Sequence, residues 1–133
     1  MTPYLIGVGL ALAVALFARV VGLDRDRAFY PTVMIVIAAL YGLFAAMGCV
    51  LAGLAVEWMM MGGFILAAVL GFKRNLWIVV GALAGHGVFD FFHHHLVANP
   101  GVPAWWPAFC GAYDITAAGY LAWLLRRRPP ARA

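Results

Sequence analysis

The sequence predicts an all-α integral membrane protein, a bundle of about five transmembrane helices forming one domain over residues 1–133. Three observations carry this. Hydrophobic residues make up 66% of the chain. Charged residues make up only 11%, against about a quarter in an ordinary soluble domain. The apolar residues run on for about twenty positions at a stretch with no polar face, as expected where lipid is the solvent.

Crossing a hydrocarbon core of about 30 Å takes about 20 residues at roughly 1.5 Å each. The first helix covers about 3–23 and is closed by the turn Asp24-Arg25-Asp26-Arg27. From Phe29 to Phe72 the only charge is Glu57. One helix of that length would be about twice the bilayer thickness, so the stretch is read as two, about 29–48 and 52–72, with Gly48 and Gly53 marking the turn. Lys73-Arg74-Asn75 closes the third helix. The fourth covers about 76–97, and the turn Asn99-Pro100-Gly101-Val102-Pro103 precedes the fifth at about 105–125. The opening Met1-Thr2-Pro3-Tyr4 lacks the positive region of a secretory signal, so the first apolar run is expected to be retained.

With five helices, Arg25, Arg27, Lys73, Arg74 and the tail arginines 126, 127, 128 and 132 fall on one side, and Arg19 can snorkel to it. The other side holds the N-terminus, the turn near Gly48 and the loop from Asn99 to Pro107, with no Lys or Arg. The positive-inside rule makes the charged side cytoplasmic and the N-terminus external. An even helix number would break this partition. Trp105 and Trp106 sit where an interfacial aromatic belt is expected. The net charge of +4 comes from helix ends rather than a basic stripe, which excludes nucleic acid as a partner. The lipid bilayer is the expected partner, with a homo-oligomer or a larger membrane complex as the protein assembly.

Ionisable residues inside the hydrocarbon cost several kcal/mol each unless paired or useful. Glu57, Asp90 and Asp114 fall on three different helices, each about 9–14 Å below the external surface at roughly 1.5 Å per residue. On the fourth helix His86, Asp90, His93 and His94 share an arc of about 100°, while Gly81 and Gly85 lie opposite as a packing face. His95 falls nearer the glycines. Tyr41, Tyr113 and Thr116 can supply neutral hydrogen-bond partners at similar depth.

Glu57, His86, Asp90, His93, His94 and Asp114 are therefore the candidate metal ligands, suited to a divalent ion such as zinc or iron; Glu57, Asp90 and Asp114 are expected to converge with His86 and either His93 or His94 on one site. In an enzyme of this kind a metal-activated water would be the nucleophile, with Asp90 or Asp114 as acid/base and a lipid or other apolar molecule as substrate. The same residues admit two further readings, a structural polar network and a proton or ion pathway. The rival functions are a non-catalytic subunit or assembly factor of a larger complex, and an oligomeric carrier.

Met59-Met60-Met61 offers soft ligands for cuprous copper, but three consecutive helical residues face three directions, which favours packing. Cys49 and Cys110 both border the external side, where a disulfide can persist, but two small buried free thiols is the default reading. No nucleophile elbow, P-loop or dinucleotide signature is present.

The string His86-Gly87-Val88-Phe89-Asp90, followed by Asn99-Pro100-Gly101-Val102-Pro103-Ala104-Trp105-Trp106-Pro107, Phe109-Cys110 and Tyr113-Asp114, resembles a pattern in small bacterial multi-pass membrane proteins of no assigned function. The segment from Leu23 to Pro31 is similar too. The resemblance covers about half the chain. It implies a bacterial inner-membrane location and no activity. Metal-dependent ceramidase-type hydrolases also place His and Asp on membrane helices, but they are similar only in that idea and have more helices than this chain supplies.

Cysteines introduced between Asn99 and Val102 are expected to react with a membrane-impermeant thiol reagent in intact cells, and cysteines at Lys73 or Arg127 are not. External labelling at position 73 would invert the orientation.

Overall fold

Local chemistry in the sequence sets the helix ends. Pro3 occupies the first turn of α1 (Thr2–Val21), where its missing N–H has no partner to lose. Gly22 ends that helix in the left-handed region at φ 91°, donating its N–H to the Ala18 carbonyl at 2.9 Å. A short 3-10 turn, Leu23–Arg25, leads to α2 (Phe29–Gly48), before which the Asp26 side chain accepts the Ala28 N–H at 2.9 Å. α3 spans Leu51–Lys73, α4 Trp77–Leu96 and α5 Trp106–Arg127. Asn75 accepts the Trp77 N–H at 3.0 Å and so starts α4. This computed structural model describes residues 1–48 and 51–127, with side chains given throughout except for 51–54.

The all-helical class and the five helices stand as the sequence predicts. Four of them, Thr2–Val21, Phe29–Gly48, Ala55–Lys73 and Trp106–Arg127, are long and apolar enough to cross a membrane. α4 matches α1 and α2 in length but falls short in apolarity, because His86, Asp90 and three consecutive histidines lie along it. Its polar residues are accommodated by neighbours: α4 packs along α5, along α3 and against α2. α1 packs along α5. Much of the outer surface is apolar, with Leu5 70%, Phe17 60%, Val20 78% and Leu66 59% exposed, the surface of a protein solvated by lipid.

Glycines set the tightest crossings. A Cβ on Gly7 of α1 would lie 2.2 Å from the Phe109 carbonyl oxygen of α5, and one on Gly87 of α4 would lie 3.1 Å from the Gly111 carbonyl oxygen. On α4, Gly87 is not one of the glycines expected to pack. A Cβ on Gly81 would meet nothing within 4 Å, and one on Gly85 would meet only the edge of Phe64 at 3.8 Å. The reason is rotational: α5 meets α4 on the face of His86, Asp90 and Gly87, so the Gly81 side turns outward. Met61 packs against Gly42, where a Cβ would come within 2.9 Å of its sulfur, and Met59 is exposed.

At the end holding the basic residues, the Arg27 guanidinium donates to the Phe72 and Gly71 carbonyls, satisfying the last turn of α3. Arg127 and Arg19 lie over the Trp123 ring at 4.4 and 5.7 Å, and Arg126 lies over Trp77 at 5.9 Å.

Gly7→Ala is expected to lower stability by about 1–3 kcal/mol, the usual cost of overpacking, because backbone rather than a flexible side chain blocks the new methyl group. Gly9→Ala, with open space around it, is the control and should cost nothing. Denaturant unfolding in mixed micelles measures both, and equal stabilities would show that the α1–α5 crossing is looser than described.

Candidate functional site

The close crossing of α4 and α5 near Gly87 and Gly111 leaves room for side chains on either side of the contact, and the sequence fills it with ionisable groups. His86 and Asp90 are one helical turn apart on α4, and Cys110 and Asp114 are one turn apart on α5. All four are buried, and one ligand atom from each lies within 4.8 Å of the others. His86 Nδ1 is 2.7 Å from Asp114 Oδ2 and 3.6 Å from Asp90 Oδ2. Cys110 Sγ is 3.9 Å from the same Asp114 oxygen. Phe64 of α3 covers the imidazole edge-on, with ring centroids 4.9 Å apart.

One imidazole nitrogen cannot satisfy two carboxylates. Asp90 Oδ1 and Oδ2 and Asp114 Oδ1 are buried without a hydrogen-bond partner, as is the Tyr41 hydroxyl. Native interiors rarely leave such groups unpaired, because each forfeits its solvation.

Glu57 does not join this cluster. It lies in a second one, where His93 Nε2 is 3.0 Å from Oε1 and the Asn99 amide donates to both carboxylate oxygens at 2.9 and 2.7 Å. Asn99 Oδ1 accepts the Gly101 N–H at 2.9 Å, so the loop between α4 and α5 is fastened onto α3 through this carboxylate. The expected convergence is thus divided. His86, Asp90 and Asp114 come together, while Glu57 and His93 pair separately. Tyr41 of α2 stands between the two sets, its ring stacked on His93 at 4.4 Å and 5.6 Å from His86. His94 and His95 are exposed on the outer side of α4. At about 100° per residue, His94 is turned just past the face that α3 and α5 cover.

Sequence reasoning misses two residues. Cys110 enters it only as a disulfide partner or free thiol, yet its spacing to Asp114 repeats that of His86 to Asp90. Asn99 enters it only as a turn former. The pairing of Cys49 with Cys110 lies outside the described residues, since Cys49 is one of those not described; the Cys110 thiol is buried and free.

The chain is thus an all-helical protein with membrane-compatible helices and a buried cluster of His, Asp, Cys and Asp side chains able to hold a metal. Comparisons with protein-family models, curated proteins and solved structures find no match.

Asn99→Ala removes two hydrogen bonds to the buried Glu57 carboxylate. It is expected to lower stability by about 1.5–3 kcal/mol, the range for hydrogen bonds to charged groups, and to leave any bound metal in place. Unfolding in mixed micelles, read beside metal content, checks both halves. An unchanged stability would mean the loop is not held through Glu57.

Proposed function

We propose that this chain is a small bacterial inner-membrane protein, N-terminus periplasmic and C-terminus cytoplasmic, whose bundle is fastened by one divalent metal. The ligands are His86 and Asp90 of α4 and Cys110 and Asp114 of α5. The observation that carries the reading is the set of three buried carboxylate oxygens without hydrogen-bond partners.

Charge balance supports it. With His86 neutral, two aspartates leave the cluster at −2, and with His86 protonated at −1; neither is stable in a low-dielectric interior without compensation. A divalent cation offsets the two aspartates; with Cys110 ligating as the thiolate, the filled site carries −1, against −3 for the same four donors without the ion. The competing solution, a protonated imidazole beside one protonated aspartate, balances charge and can draw on the Tyr41 hydroxyl and the Cys110 thiol as further donors beside Asp90; the metal content of the purified protein separates the two. Donor chemistry narrows the ion. A thiol and an imidazole beside two carboxylates suit zinc or iron rather than magnesium or calcium. In a tetrahedral site with bonds of about 2.0–2.3 Å, donors stand roughly 3.3–3.8 Å apart, which the His86–Asp90 separation of 3.6 Å already matches. The 2.7 Å contact of His86 with Asp114 is a hydrogen bond, and it would have to open for both side chains to hold one cation.

Burial separates a structural role from a catalytic one. His86 is 2% exposed, Asp90 1%, Cys110 3% and Asp114 0%, so the cluster resembles a closed four-donor site rather than an open one with water in its fourth position. The metal would staple α4 to α5, and the protein would act as a non-catalytic subunit or scaffold in the membrane. The inward orientation of the C-terminus is supported by the basic residues gathered at that end, among them Arg27, Lys73, Arg126 and Arg127.

Elemental analysis of the detergent-purified protein tests the site. The wild type is expected to carry stoichiometric zinc or iron, Asp90→Asn and Asp114→Asn to lose it, and Glu57→Gln to retain it. Stripping the wild type with a chelator should lower its unfolding midpoint. A folded wild type that is metal-free when purified, and whose stability does not change when zinc or iron is added, would leave the cluster as a hydrogen-bonded core.

A further inference from the structure

We infer that α1, α2 and α5 form a binding groove for one acyl chain of a lipid in the leaflet at the N-terminal end of the bundle, the external leaflet in the orientation proposed above.

The groove follows from how the helices pair. α1 and α2 are consecutive, yet they do not pack along each other; α1 lies on α5, and α2 lies on α3. They are held together at the basic end, where the turn Leu23–Arg25 touches both. Away from that end α1 and α2 make little or no contact with each other, which leaves a cleft beside α5: its outer part lies between α1 and the start of α5, and its inner part is also lined by α2. An outer section of about 570 Å³ is bordered by Thr2, Ile6 and Trp105, and an inner section of about 230 Å³ by Val14, Ile37, Leu40 and Cys110. Leu10, Trp106 and Phe109 line both sections, so the two adjoin.

Length chooses the occupant. From Thr2 to Val14 is twelve residues of helix, about 18 Å at roughly 1.5 Å per residue. On α2, Ile37 lies eleven residues from the helix end at Gly48, about 16 Å by the same rise. Both depths match half of a hydrocarbon core of about 30 Å, the reach of one leaflet's chain. A transmembrane helix from a second copy or another protein needs the full thickness, and the joined end of the cleft denies it that.

Chemistry agrees at both ends. The groove walls are aliphatic and aromatic along their length. Near the mouth stand Trp105 and Trp106, at the start of α5, where aromatic rings are expected at a membrane interface. At the inner section Cys110 belongs both to the groove wall and to the buried cluster, so a seated chain passes one side chain away from the proposed metal. Binding of the chain does not depend on that metal.

The full-length protein, reconstituted in vesicles of phosphatidylcholine doped with a phosphatidylcholine carrying a photoreactive diazirine near mid-chain, tests the inference. After illumination, adducts mapped by mass spectrometry are expected to be enriched several-fold at Leu10, Ile37 and Phe109 over the exposed lipid-facing residues Leu66 and Val88. Val14→Trp should fill the inner section and abolish the enrichment without changing adducts at Leu66. Ile6→Trp provides the same block from the outer section if Val14→Trp does not fold. Adducts spread evenly over all lipid-facing positions would mean bulk lipid only. Protein–protein crosslinks from introduced photoreactive side chains at Ile6 and Leu10 would mean a second copy covers the face. Either result overturns the inference. Metal content measured on the same samples keeps failure here separate from failure of the metal site.

Discussion

Two carboxylates and one imidazole pressed together in a hydrocarbon-solvated bundle are the constraint on which the rest of the structure turns. Asp90 and Asp114 come that close because Gly87 and Gly111 let the backbones of α4 and α5 meet; a Cβ on Gly111 would already be 3.3 Å from Asp90 Cβ. The arrangement costs solvation and makes α4 less apolar than a free-standing span. It is tolerable only because α4 is enclosed by α5, α3 and α2, and because Phe64 closes the cluster from the side. Burial of the polar face is thus what places α4 at the centre.

A second polar set does a different job. Glu57 reaches across from α3 and takes both donors of the Asn99 amide together with His93. Its carboxylate has no unfilled oxygen, in contrast to Asp90. The filled Glu57 carboxylate fastens the α4–α5 loop, although His93 Nδ1 beside it is buried without a partner, and the unfilled carboxylate oxygens of Asp90 and Asp114 read as a place for a cation. Tyr41 stacks on His93 and lies close to His86, so the two sets share a wall, and a change in one will be felt in the other through α2.

The two ends of the bundle divide its tasks. At the basic end, Arg27 caps α3, and three other arginines lie over Trp123 and Trp77, which anchors the helices at an interface. At the other end the chain is held by the Glu57–Asn99 fastening on one side and is open beside α5 on the other. One end is therefore tied by charge and aromatic rings. The other combines a buried polar interior with an apolar cleft.

Helix number, most helix boundaries and the membrane class were legible in the sequence because they depend on local features: the length of apolar runs, and breakers such as Gly22, Asn75 and Asn99-Pro100-Gly101; Gly53, read as part of a turn, lies inside α3. The residues costly enough to matter were legible too, since any Asp, Glu or His within a span must find a partner. Which partner each would find was not. Helix rotation placed His86, Asp90 and His93 on one arc but could not say that α5 would meet one end of it and α3 the other, and that choice split a single expected site into two. His94 lay at the edge of the same arc, and only the direction from which α3 and α5 approach left it outside. The same rotation exchanged Gly81 for Gly87 as the packing glycine and brought Cys110 into the cluster. Periodicity along one helix fixes which residues share a face. Only the packing of several helices decides what that face meets, because the meeting depends on contacts between residues far apart in the chain.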